Sequence, residues 1–177
     1  MSSERPLDRL LGSVPRAGRL EWIGLAPARR AELVTVERVA VQPGTGLDGD
    51  HHARTGRGRR QVSFVQAEHL PVVGALLGRD AVAPADLRRN LIVSGINLLA
   101  LKAARFRIGA VLFEGTGLCA PCSRMNETLG PGGFQATRGH GGIVAAALEA
   151  GEIQVGDPVE FVELVDRADR ATNSSDD

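Results

Sequence analysis

The chain has 177 residues, 43% of them hydrophobic and 24% charged, with lysine plus arginine equal to aspartate plus glutamate at 21 each. That length fits one ordinary domain with a real core, and two large domains are not expected. The balanced charge gives no net field to draw nucleic acid or an anionic membrane, aromatics at 3% without tyrosine supply few base-stacking platforms, and no apolar run reaches the roughly 18 residues of a membrane span.

Residues 1–18 read as an N-terminal extension. "MSSERPLDRLLGSVPRAGRL" carries arginines but lacks the continuous apolar stretch of a secretory signal, so a cytoplasmic location is expected. "AELVTVERVAVQPG" alternates as a strand, with Leu33, Val39 and Val41 among its apolar positions and Pro43-Gly44 as its stop. "TGLDGDHHARTGRGRR" has no period, and a loop of that length inside a compact domain is functional or disordered. The cations from Arg54 to Arg60 sit there among glycines 44, 46, 49, 56 and 58, whose backbone can approach an anion closely.

"RQVSFV" resumes as a strand, and "QAEHLPVVGALLG" predicts a helix in which Pro71 suits the first turn. Glu68 reads as an acid on a helix face. "PADLRRNLIVSGIN" predicts a helical or turn entry from Pro84 to Asp86, a short strand from Leu91 to Val93, and a turn at Ser94-Gly95. "RFRIGAVLFEG" gives two apolar runs split at Gly109, and "GPGGFQATRGHGG" is a breaker-rich loop. "IVAAALEAGEIQVGDPVEFVELV" has alanines that favour a helix, but its flanking glycines and the sequence that follows point to strand, turn, strand. Residues 166–177 form a polar tail with little to bury. Many short strands with few helices predict a mainly β, α+β fold, barrel-like, over a single domain of residues 19–165.

The stretch "GLCAPCSRMNE" contains both cysteines, Cys119 and Cys122. Two cysteines make no disulfide framework, and a reducing compartment keeps such a pair as thiols. A zinc site needs four donors, typically as two close pairs. Among His51, His52, His69 and His140 only the adjacent histidines are compact, so zinc is not expected. A thioredoxin-type centre needs CxxC at a helix start, which the local sequence permits, although no clear β-α-β unit carries it. A strand, a turn and a short helix beginning near Pro121 or Cys122 would set the Cys122 sulfur beside exposed N–H groups and Arg124, which favours thiolate over thiol. Cys119 also reads as a buried, inert small hydrophobe.

The segments "GLDGDHHA", "RQVSFVQAEHL", "LRRNLIVSGINLLAL", "FRIGAVLFEGTGLCAPCSRM" and "RGHGGIVAAALEAGEIQVGDPV", in this order, resemble the MOSC domain, named after the C-terminal domain of molybdenum cofactor sulfurase. The likeness runs over roughly residues 30–163. It implies a barrel-like β fold, one functional cysteine, and the handling of sulfur or of molybdopterin-bound molybdenum. Position by position, the family's reactive cysteine falls on Cys122, which would also be the molybdenum ligand. Its arginine and asparagine fall on Arg88 and Asn90, or in a shifted register on Arg89, facing a cofactor phosphate or pterin. Gly49, Asp50 and His52 match its GD-x-H loop. Arg59, Arg60 and Arg124 are further candidates for the anionic cofactor. His51 and His140 stand where many relatives have a fixed cation, and a neutral imidazole weakens anion binding at those corners.

The chemistry suits these residue types. A persulfide is passed on by a thiolate, molybdenum accepts soft sulfur ligands, and planar guanidiniums bind phosphate in pairs. Asp50 either orients His52 or caps a turn. The resemblance implies a sulfur carrier or sulfurtransferase-type protein, or one that binds molybdenum cofactor. Its partner would be a separate sulfur donor such as a cysteine desulfurase, or a molybdoenzyme. Pyridoxal phosphate is not expected, since Lys102 is the one lysine. Two readings of another class stay open, a non-catalytic module that binds an anion or a partner, and a CxxC redox protein.

Overall fold

The computed structural model describes residues 5–54 and 58–166. Its first six strands are β1 (Gly18–Leu25), β2 (Val34–Val36), β3 (Arg38–Gln42), β4 (Gly46–Leu47), β5 (Val62–Gln66) and β6 (Leu91–Ser94). Then follow β7 (Ala104–Ile108), β8 (Val111–Leu118), β9 (Ile143–Ala147), β10 (Gly151–Gln154) and β11 (Pro158–Leu164). The helices are short: α1 (Pro6–Leu11), α2 (His69–Leu76), α3 (Leu98–Leu101), α4 (Arg124–Leu129) and α5 (Gly133–Thr137), with 3-10 turns at His51–Arg54 and Pro84–Leu87.

The main sheet runs β11-β7-β8-β9-β5-β6-β1-β2, and β11 also pairs with β1. That last pairing closes seven strands into a barrel and leaves β2 as an extension beyond the ring. Closure removes the exposed edges that an open sheet would present. The neighbours are antiparallel except β5 and β6, which run parallel and are joined through α2. A small second sheet, β10-β3-β4, packs beside the barrel.

Alternation in the sequence explains the inward faces. In "ARFRI" of β7, Ala104, Phe106 and Ile108 are buried while Arg105 and Arg107 lie between them on the outer face. The β7–β8 hairpin turns through Gly109-Ala110, with Ile108 opposite Val111. Gly109 has φ +55, and a Cβ there would lie 2.7 Å from the Asp157 carboxylate, so glycine alone fits without strain. Phe64, Phe106 and Phe113 fill the barrel interior without exposed surface. Their ring centroids are 5.6, 5.8 and 6.0 Å apart, with Phe64 edge-on to the other two.

A second apolar cluster lies outside the ring. Val65 and Ile92, on the outer faces of β5 and β6, meet Val73 of α2, Leu87, and Met125 and Leu129 of α4. Strands β5 and β6 are therefore covered on both sides, which is why "VSFV" and "LIV" are nearly continuous apolar runs.

The single strand expected over "AELVTVERVAVQPG" is divided. β2 belongs to the barrel sheet and β3 to the small one, with Glu37 at the corner, where its carbonyl accepts the Val155 N–H. β1 lies in a stretch with no strand signal, because a bulge between Leu20 and Trp22 breaks its alternation. Within the N-terminal extension α1 buries none of its residues. Of the tail at 166–177, only Asp166 falls within the described residues.

Truncating the aromatic centre tests this core. Phe113→Ala should lower stability by about 3–5 kcal/mol in urea denaturation, whereas an unchanged transition midpoint would mean that the three rings do not carry the barrel interior.

Candidate functional site

The site rests on a buried polar junction. Asp50 is 3% exposed and Asn90 5%. One Asp50 oxygen accepts the Ala26 N–H at 2.9 Å and the Asn90 amide at 2.9 Å. The other accepts the His52 backbone N–H at 3.0 Å and the His52 Nδ1–H at 2.8 Å. Asp50 therefore both closes a turn and orients His52. Asn90 completes the junction: its Oδ1 accepts from the Ser63 N–H and hydroxyl, and its Nδ2 also donates to the Gly24 carbonyl. Burial by itself would push the Asp50 carboxyl up, but the bonds from His52 and Ala26 outweigh it and hold the group at about 2. The end of β1, the starts of β5 and β6, and the GD loop are fastened together at this point.

Arg89 fastens the loops. It is 6% exposed. Its Nε donates to the Gly141 carbonyl at 2.9 Å and one terminal nitrogen to Leu87 at 2.9 Å, while the other reaches the Cys119 carbonyl at 3.5 Å. The Cys119 N–H donates to the Gly142 carbonyl at 2.9 Å. A Cβ on Gly141 would lie 2.3 Å from the Cys119 carbonyl oxygen, so the glycine-rich loop approaches closely because it lacks a side chain there. The backbone of Cys119 is thus held from two sides.

Cys122 is exposed and Cys119 half-buried, and both are free thiols. The α4 helix begins at Arg124, not near Pro121 or Cys122 as the sequence suggests, and has only six residues. A helix of that length has a small dipole. Burial, then the charges of Arg124 and Arg30, hold Arg88 below the ordinary arginine value, while Asp50 and Cys122 pull the other way. Arg88, Arg30, Arg124 and Cys122 therefore share one electrostatic neighbourhood.

Packing places α4 there. Met125 and Leu129 are buried, and the Thr128 hydroxyl donates to the Asp86 carbonyl at 2.7 Å, tying α4 to the turn that ends at Arg88. Arg88 donates to the Ala31 carbonyl at 2.9 Å, and Arg30 pairs with Glu127 at 2.8 Å, so the β1–β2 loop is tied to the turn at Arg88 and to α4. Arg30 (φ 67) and Arg88 (φ 53) are the two non-glycine residues in the left-handed region among those described. Each costs roughly 1–2 kcal/mol of backbone strain, which persists where surroundings over-determine the conformation and which concentrates at functional sites. Arg30 and Glu127 went unnoticed in the sequence. The (i, i+3) spacing of Arg124 and Glu127 was the one available signal, and Arg30 offered none.

The remaining candidates lie apart. Arg59 pairs with Glu114, which also holds Arg105 at 3.2 Å, and Arg60 is exposed. Residues 55–57 of that basic loop lie outside the described residues. Among the described residues, Asp50, His51 and His52 are the one trio whose metal-capable atoms all lie within 4.8 Å, but the Asp50 oxygens are committed to hydrogen bonds. His51 Nδ1 lies 3.2 Å from the Ala26 carbonyl, and its ring lies tilted by 39° against that of His52, with centroids 3.8 Å apart. His140 meets His69 edge to face at 4.9 Å. The Glu68 carboxylate accepts the Gly95 N–H at 2.7 Å, a bond that fixes the turn after β6. Cys119, His69, Leu118 and Pro121 help to line a cavity of about 430 Å³ behind the cysteine loop.

The depressed Asp50 carboxyl contributes about 2 kcal/mol of stability. That contribution is complete above about pH 4, where the unfolded group is ionised, and disappears as pH falls through about 2. Urea titrations of wild type and Asp50→Asn should differ by at least that amount at neutral pH and converge between pH 4 and 2. A gap independent of pH would contradict the junction.

The MOSC domain model matches residues 48–160. No functionally curated protein matches the sequence. Solved structures share the fold. The YUAD protein from Bacillus subtilis superposes with a TM-score of 0.71 at 22% identity, over 84% of this chain and 97% of that one. YiiM from Escherichia coli superposes with a TM-score of 0.62 at 20% identity, over 83% of this chain and 71% of that one. YiiM from Geobacillus stearothermophilus gives 0.62 at 19%, over 82% and 75%. No helix among the described residues is long and apolar enough to cross a membrane. With a closed seven-strand barrel and a family match across most of its length, this chain belongs to the MOSC domain family.

Proposed function

We propose that this MOSC-domain protein carries or transfers sulfur, or holds molybdenum cofactor, through the side chain of Cys122. The supporting observation is one exposed cysteine sharing its electrostatic neighbourhood with Arg88 and the arginines beside it, on a loop held by buried polar bonds. The working form in this role is the thiolate, which is both the nucleophile in sulfur exchange and the form that binds soft metals. In sulfur transfer, the Cys122 thiolate attacks the outer sulfur of a donor persulfide. A new S–S bond forms at Sγ, the donor's own S–S bond breaks, and the donor cysteine leaves as its thiolate.

The donor set also fits molybdenum cofactor: a reachable sulfur for the metal and planar guanidiniums for the phosphate. When bound, the cofactor supplies the redox chemistry. Arg88 and Arg124 take the anionic part in this reading. Arg89, Asn90, Asp50 and His52 act behind them as the frame. The donor is a separate protein such as a cysteine desulfurase, or the recipient is a molybdoenzyme, and a reducing cytoplasm keeps the thiol available.

Substitution of each sulfur in turn tests the assignment. In protein purified from its own host, Cys122→Ser should abolish persulfide labelling and retention of molybdenum, measured by mass spectrometry and elemental analysis, and Cys119→Ser should preserve them. Equal loss from both substitutions would point to a redox pair. An unreactive Cys122, with partner binding unaffected by its replacement, would point to a non-catalytic binding module.

A further inference from the structure

The N-terminal helix is too short to stand alone. α1 has six residues, none of them buried, and helices shorter than about 12 residues are marginal in water unless an apolar face is packed. Such a face exists, because Leu7, Leu10 and Leu11 have the i, i+3, i+4 spacing of one stripe. Leu7 and Leu11 are 57% and 52% exposed and line a groove of about 830 Å³ between α1 and the barrel wall. Leu10 stands outside that groove and, at 74%, is the most exposed large apolar side chain among the described residues. The facing wall is apolar as well, with Leu99 of α3 and Val162 of β11, both exposed. β11 is bulged between Phe161 and Glu163, which leaves Val162 without a partner in the register. Bulges re-aim side chains, and this one holds a valine at the surface of a strand that β1 and β7 fix from both sides.

The charges around the groove fit a second copy of the chain. Three cations, Arg5, Arg9 and Lys102, and three acids, Asp8, Glu163 and Asp166, line it. A balanced rim offers no field to an anionic membrane or to nucleic acid, and it is complementary to itself. Arg5 pairs with Asp8, and Glu163 with Arg105, whereas Arg9, Lys102 and Asp166 make no ion pair among the described residues. Residues 167–177, which follow Asp166 at the groove, contain no apolar side chain larger than alanine and so have nothing to set against the leucines. In a two-fold arrangement each patch meets its own copy, with every contact made twice.

We propose that α1 and the bulged segment of β11 form a two-fold interface with a second copy of this chain, in which Leu10 of each protomer enters the partner's groove and Arg9 meets the partner's Asp166. Leu99 and Lys102 line both this groove and the cavity beside Cys119, so the second copy abuts one wall of that cavity. The interface does not depend on the chemistry assigned to Cys122.

The test is sedimentation velocity of the full chain over a concentration series, under reducing conditions that exclude a disulfide between exposed Cys122 residues. Wild type should sediment as a dimer. Leu10→Asp should raise the dissociation constant roughly tenfold or more. Arg9→Glu and Asp166→Arg should each weaken the pairing, and the double substitution should restore it by exchanging the two charges. All three side chains are exposed, so the barrel tolerates their replacement. A wild-type monomer at every concentration up to about 0.1 mM would overturn the proposal, whether or not that monomer binds lipid vesicles. So would a dimer that Leu10→Asp leaves as tight as before, or a double charge exchange that recovers nothing over the single substitutions.

Discussion

A buried carboxylate facing a buried amide, Asp50 against Asn90, is the constraint on which the site depends. Neither group can be left unpaired in the interior without a penalty of about 1–3 kcal/mol, and each satisfies the other while the pair binds two further segments. Asp50 reaches back to Ala26 and forward to His52, and Asn90 reaches to Ser63 and Gly24. Four pieces of chain remote in sequence are thereby set at one end of the barrel. Arg88 and Arg89 directly precede Asn90, so their positions follow from the same bonds.

Those adjacent arginines have opposite environments. The left-handed backbone at Arg88 terminates the 3-10 turn and sends the two side chains in different directions. Arg89 goes inward, where carbonyls of Leu87, Gly141 and Cys119 accept its donors. Arg88 goes to the surface beside Arg124 and Cys122. One guanidinium serves as a rivet for the loops, and its neighbour donates to the Ala31 carbonyl of the β1–β2 loop. A single residue of unusual backbone geometry separates the two duties. The two sulfurs divide similarly, since Cys119 is half-buried and helps to line a pocket while Cys122 is exposed.

Much of the fold was legible in the sequence because barrel strands with one buried face keep a period of two. "ARFRI" and the turn glycine at 109 announce the β7–β8 hairpin directly. β1 was invisible because its bulge shifts the alternation, and the corner at Glu37 that divides β2 from β3 carries no proline or glycine to mark it. Within the site, Cys122, Asp50 and Asn90 stand in motifs dense in unusual residues. Arg30 and Glu127 do not. Their relevance comes from a contact 97 residues apart in sequence, which no local pattern encodes. Arg89 shows the complementary limit: a motif marks a residue, but only packing reveals whether its charge faces a ligand or three carbonyls.

Central to this account is the division of the "LCAPC" segment into one working sulfur and one structural one. Intact-protein and peptide mass spectrometry of the native, unreduced protein would examine it most directly. Added sulfur mass localised to Cys122, with Cys119 unmodified, is the result expected. A disulfide joining the two cysteines, or extra sulfur found on Cys119 alone, would contradict it.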